Sequence, residues 1–131
     1  MFQYHTWSIL WGFLIIFLTA VPGGLIPHVP SFVDLFEPDK LVHVFIFAVF
    51  LFLLIRGFIL HEVSEFCREH AVSISLNIGV LLSGLTELMQ KYFIPGRVAS
   101  VYDFIANVAG CFLGWWIFYI WISRKKAGTN K

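Results

Sequence analysis

The sequence predicts an all-α integral membrane protein, a bundle of four transmembrane helices. Three observations carry that prediction. Of the 131 residues, 59% are hydrophobic and only 13% are charged, against roughly 25% charged in a soluble domain. The apolar residues fall into runs near 7–26, 41–60, 71–90 and 104–122, each about 20 residues long, which is what a helix needs to cross a bilayer. The runs do not alternate in polarity as the strands of a membrane barrel would. Backbone in lipid must bond within its own segment, so an unbroken apolar run is a helix. A chain of this length makes a single transmembrane domain, residues 1–131.

The first run starts near Trp7 and meets a stop at Pro22-Gly23-Gly24. No Lys or Arg precedes it, unlike the charged start of a cleaved signal, so it reads as a retained helix. Trp7 and Trp11 at one end, and Trp115, Trp116, Tyr119 and Trp121 in the fourth run, suit an interfacial belt. The second run, Leu41 to Leu60, is interrupted only by Arg56. The mixed-sign stretch "HEVSEFCREH" (His61 to His70) that follows reads as a solvated or interfacial turn. The third run, Ala71 to Gln90, carries Glu87 near its end, and Pro95-Gly96 turns the chain back. The fourth, Phe104 to Ile122, is followed by Arg124-Lys125-Lys126, a topology anchor.

With four spans, the termini and the second loop share one side of the membrane. That side holds Arg56, Arg68, Arg124, Lys125, Lys126 and Lys131, and the other holds Lys40, Lys91 and Arg97. The excess of cations predicts a multi-pass protein with both termini inside. The net charge of +1 leaves no basic surface for nucleic acid, and Cys67 and Cys111 match no metal spacing.

This orientation gathers the costly polar residues in the outer leaflet: "PDKLVH" (Pro38 to His43), "ELMQ" (Glu87 to Gln90), Arg97 and "SVYDFIAN" (Ser100 to Asn107). Ser100-x-x-Asp103 before an apolar run has the pattern of a capping box, with Asp in place of Glu or Gln. Asn107, Gly110 and Gly114 extend one helical stripe, which permits close approach of another helix. Gly79, Ser83, Thr86, Glu87 and Gln90 make the stripe expected to face it, on the third span. Asp39 is a helix N-cap candidate, and His43 lies one turn on, where a carboxylate can orient the imidazole. Glu87 sits at the negative end of its own helix dipole, and a charge within a span costs about 2.5 kcal/mol or more at the bilayer centre, less toward the interface. Compensation is expected from Arg97, Lys40 or His43; complete, it makes Glu87 a structural ion pair, and partial, it leaves a carboxyl suited to general acid–base work. Arg97 can pair a carboxylate or clamp a phosphate.

Glu87, Asp103 and His43 are therefore the candidate catalytic residues. Asp39, Lys40, Gln90, Arg97, Ser100 and Asn107 are the candidate substrate contacts. No spacing demands a metal among these side chains, and no cofactor is expected.

"DKLVH" (Asp39 to His43), followed by "ELMQKYFIPGRVASVYDFIANVAG" (Glu87 to Gly110), resembles the VanZ-like family. The pattern is DK-x-x-H, then E-x-x-Q, then R-x-x-S-x-x-D-x-x-x-N-x-x-G. This chain carries every element of it across the second to fourth spans. The resemblance implies a small bacterial cytoplasmic-membrane protein, in a family whose named member is associated with low-level resistance to the glycopeptide teicoplanin. It supplies a context without a reaction.

Three readings compete. The first is an intramembrane hydrolase or transferase acting on a lipid phosphate or a lipid-linked cell-envelope precursor. Helix N-termini, Lys40 and Arg97 would hold the anionic head group. The second is a protein that binds a lipid head group or shields it from the antibiotic without catalysis. The third is a small transporter or flippase, for which four helices are few and no internal repeat is present. The sequence leaves the oligomeric state open.

Overall fold

The computed structural model describes residues 2–21, 38–60, 64–95 and 100–129. Among these, every regular element is a helix. A 3-10 turn at Phe2–Tyr4 leads into α1 (Thr6–Thr19). Then come α2 (Pro38–Leu60), the short α3 (Glu65–Glu69), α4 (Ala71–Phe93) and α5 (Val101–Thr129).

Three helices are long and apolar enough to cross a membrane, Lys40–Leu60, Ala71–Phe93 and Val101–Gly128. The first expected span differs. α1 has 14 residues, about 21 Å at 1.5 Å each, against a hydrocarbon core of about 30 Å. It ends at Thr19, just ahead of the Pro22-Gly23-Gly24 stop, and residues 22–26 of the expected span lie outside the described residues. The other helices outrun their apolar runs. α2 begins at Pro38, a residue suited to the first turn of a helix because its missing N–H has no partner to lose there. α5 begins directly after Ser100 and continues through Arg124-Lys125-Lys126. Those residues are good helix formers, and cations favour the negative C-terminal end. The second loop contains α3, opened by Ser64, whose Oγ accepts the Cys67 N–H at 3.2 Å.

α2 is the central helix, touched by all the others. It is apolar all round, as a helix must be to be enclosed by neighbours. Its Phe47, Leu51 and Ile55 are fully buried. Large apolar side chains of α1 and α4 such as Phe17, Leu81 and Leu85 are exposed, surface that a bilayer would cover.

α5 runs parallel to α2 in constant register: Val44 meets Gly110, Ala48 meets Gly114, and Phe52 meets Phe118 edge-on. The glycine stripe thus presses on α2. The expectation that it faces the third span is corrected here, for a steric reason. A Cβ on Gly110 would lie 3.0 Å from the Val44 Cα as well as against the Val44 carbonyl. A Cβ on Gly114 would meet the Ala48 carbonyl oxygen and carbon. Only glycine lets two backbones come this close. The stripe expected on the third span is nonetheless the buried face of α4, comprising Ser75, Gly79, Ser83, Thr86, Glu87 and Gln90. It faces the junction of the other helices, with Gly79 against Cys111 of α5 and Leu51 of α2.

α1 lies antiparallel to α2. Gly57 of α2 approaches His5 and the Tyr4 carbonyl, and Gly12 of α1 approaches Phe50. Trp11 joins this contact, since its Nε1–H donates to the Ile46 carbonyl at 2.8 Å. Between α1 and α4, over α2, lies an open apolar groove of about 720 Å³, lined by Ser8, Gly12, Ile16, Leu54, Ile78 and Leu82 among others.

Candidate intramembrane polar site

The site is built around the N-terminus of α5. The first N–H groups of any helix lack partners within it. Here the Ser100 carbonyl accepts from Asp103 and Phe104 N–H, both at 3.1 Å. Ser100 Oγ accepts from the Asp103 N–H in a long contact of 3.4 Å. In a capping box the third helical residue would return the favour by accepting the cap residue's own N–H. Asp103 does not do this. The Ser100 N–H donates instead to Glu87 Oε2 at 3.1 Å. The expected box is therefore completed between helices, with Glu87 of α4 taking the part assigned to Asp103.

This contact also answers the question Glu87 poses. Its own helix dipole disfavours a carboxylate at that position, but α4 and α5 form a hairpin. The C-terminal end of α4 therefore lies beside the positive N-terminus of α5, which favours a carboxylate by about 0.3–1 kcal/mol, more when partly buried. Glu87 is only 7% exposed. The sequence pointed to cations for this compensation, of which Arg97 lies outside the described residues; the N-terminus of the neighbouring helix is a contributor it did not name. The signal was present: Ser100 follows Glu87 by a short hairpin, which forces the two helix ends together.

His43 and Asn107 form the second half of the site. His43 Nδ1 and Asn107 Oδ1 are 2.8 Å apart, joining α2 to α5 at the end of the glycine seam. His43 is 4% exposed and Asn107 is fully buried. The parallel register that brings Val44 to Gly110 also brings His43 to Asn107. Nothing in the local spacing of either residue announces the other. At the same end, Lys40 Nζ lies 5.8 Å from the centre of the Tyr102 ring, within cation–π range.

Gln90 is tied elsewhere. Its Nε2–H donates to the Thr19 carbonyl at 3.3 Å, satisfying one of the acceptors that the end of α1 leaves open. Thr86, deeper on the same face, donates its hydroxyl to the Ser83 carbonyl at 2.9 Å. Asp39 is the second residue of α2, and its side chain, like the whole of Arg97, lies outside what the structure describes. The described site thus joins Glu87 to Ser100, Ser100 to Asp103, and His43 to Asn107, with Lys40 at the same end of α2. Among the described residues no three His, Cys, Asp or Glu side chains gather closely enough to hold a metal ion.

The family model for VanZ/LLP1 matches residues 3–122. The chain belongs to the VanZ/LLP1 family. The resemblance read from "DKLVH" and the Glu87–Gly110 stretch is borne out, and the match extends through α1, which the sequence pattern left unassigned. No curated protein and no solved structure matches the chain. In this VanZ/LLP1 chain, the pattern residues His43, Glu87, Ser100, Asp103, Asn107 and Gly110 all lie at one end of the α2–α4–α5 core.

Proposed function

We propose that this chain is a four-span protein of the bacterial cytoplasmic membrane with both termini inside. Its polar site faces outward and engages the head group of a lipid or lipid-linked cell-envelope component, in a setting linked to glycopeptide resistance. The observation that carries the reading is the buried Glu87 carboxylate held at the N-terminus of α5, at the same end of the bundle as the His43–Asn107 pair. Burying ionisable and polar groups inside a span is costly, and such groups are functional by default. Six of the nine Lys and Arg residues on the inner side support the orientation.

In this reading Lys40 and Arg97, with the N-termini of α2 and α5, attract an anionic head group. Glu87, Asp103 and His43 supply the groups that accept and return protons. A second reading, binding without chemistry, is favoured by the bond from Ser100 N–H to Glu87, which gives that carboxylate a structural role of its own.

Glu87→Gln separates the two. The amide oxygen still accepts the Ser100 N–H, while the charge and the titratable proton are gone. Cells expressing the wild-type chain, Glu87→Gln and Asp103→Asn are compared for teicoplanin susceptibility, with membrane levels of each protein measured in parallel. Loss of protection at unchanged protein level supports acid–base chemistry. Full protection by both variants overturns it. Loss confined to Lys40→Ala and Arg97→Ala then assigns the protein to head-group binding.

A further inference from the structure

Two of the buried polar atoms without hydrogen-bond partners among the described residues are Asn107 Nδ2, on the residue that meets His43, and Ser83 Oγ. Both residues are fully buried. The register of α4 on α5 puts them in one layer. Gly79 lies against Cys111, and the two helices run antiparallel. One turn further along α4 is Ser83, and one turn back along α5 is Asn107. Both lie on faces turned into the bundle, Ser83 on the buried stripe of α4 and Asn107 on the stripe that meets α2.

An amide N–H left unbonded in a low-dielectric interior is destabilising, and native interiors leave very few. Ser83 Oγ and Asn107 Nδ2 do not bond each other directly. A buried donor and a buried acceptor in one layer, with no hydrogen bond between them, are the arrangement that a buried water bridges. We propose that one buried water molecule sits between Asn107 Nδ2 and Ser83 Oγ. The resulting relay holds the Asn107 amide so that its Oδ1 meets the His43 imidazole.

The chemistry follows from donor and acceptor roles. A primary amide can turn over, presenting either its oxygen or its NH2 to a neighbour. With Nδ2–H donating to the water, and the water to Ser83 Oγ, the oxygen is left to face His43 Nδ1, as observed. Nδ1–H then donates to Oδ1, which fixes the imidazole tautomer. Ser83 and Asn107 are positioning residues in this arrangement, acting on His43 from behind. The relay rests on packing geometry and not on the lipid reading, and the two fail under different measurements.

The test uses the full chain in lipid nanodiscs, with 15N-labelled His and Asn. In the wild type, the Asn107 side-chain amide is expected to show a magnetisation-transfer peak from a slowly exchanging water. The His43 Nδ1 is expected to report a single protonated state, hydrogen-bonded to Asn107 Oδ1. Ser83→Ala removes the anchor with one atom and no added bulk. It should lose the water peak and give a mixture of His43 Nδ1 states at unchanged helicity. Ser83→Thr, which keeps the hydroxyl, should restore both signals. Absence of the water peak in the wild type overturns the proposal without reference to any variant. Spectra of Ser83→Ala identical to wild type overturn it as well.

Discussion

The two sides of α2 are packed in opposite ways. On one side α5 lies backbone to backbone, with Gly110 and Gly114 against the Val44 and Ala48 carbonyls. On the other, α1 and α4 stand apart over an open groove of about 720 Å³, and α1 is held by single bonds such as Trp11 to Ile46 and Gln90 to Thr19. Helices in lipid gain little from burying apolar side chains against one another, because the lipid is as apolar as they are. Close packing and hydrogen bonds must do the holding. The seam uses close packing over several turns, and it ends in the His43–Asn107 pair. The open side uses isolated hydrogen bonds and a close approach at one end only, where Gly57 meets His5 and the Tyr4 carbonyl. A polar pair that needs fixed geometry therefore lies on the rigid side.

The comparison can be broken most severely at the seam. Gly110→Ala places a methyl group against backbone that cannot rotate away, and overpacking of this kind costs about 1–3 kcal/mol. Unfolding in micelles, followed by circular dichroism, should show that loss, and Gly114→Ala should match it. Glu87→Ala comes next, since it removes the acceptor for the Ser100 N–H. Loss of a helix cap costs about 0.5–2 kcal/mol, and Glu87→Gln should recover most of it in the same assay. On the open side, Trp11→Phe keeps an aromatic ring, though a smaller one, and deletes one hydrogen bond between helices, for which about 0.6 kcal/mol is typical within a membrane. Gly84→Ala is the smallest. A Cβ there meets nothing within 4 Å, so stability should stay within about 1 kcal/mol of wild type, with any change toward greater stability. If Gly84→Ala proved as damaging as Gly110→Ala, the contrast between a rigid and a loose side would be lost.

Three of the four expected spans were legible because hydrophobic length is a local property. Leu60 and Ala71 ended and began their helices where the apolar runs said they would. The ends set by capping and charge were less so. α5 gains its first residues from the Ser100 cap and its last turns from helix-forming cations, neither of which an apolar run registers. The site was half legible. Ser100 and Asp103 declared a helix start, and Asn107 with Gly110 and Gly114 declared a contact face. The partner of that face was not written in the local pattern, because choosing α2 over α4 depends on which backbone leaves room. Glu87 stood out as a cost in the sequence. Its compensation by the next helix's N-terminus depends on a hairpin that brings two chain segments together, which spacing along a single helix cannot express.

The central claim is that this polar end of the bundle faces outward, where envelope lipids are. Phe93 closes α4 at that end and is 77% exposed. Phe93→Cys in a Cys67→Ser background places one accessible thiol there, since Cys111 is fully buried. A membrane-impermeant maleimide added to intact cells should label it fully, with no increase on permeabilisation. Labelling only after the membrane is breached would put the site on the cytoplasmic side and contradict the account.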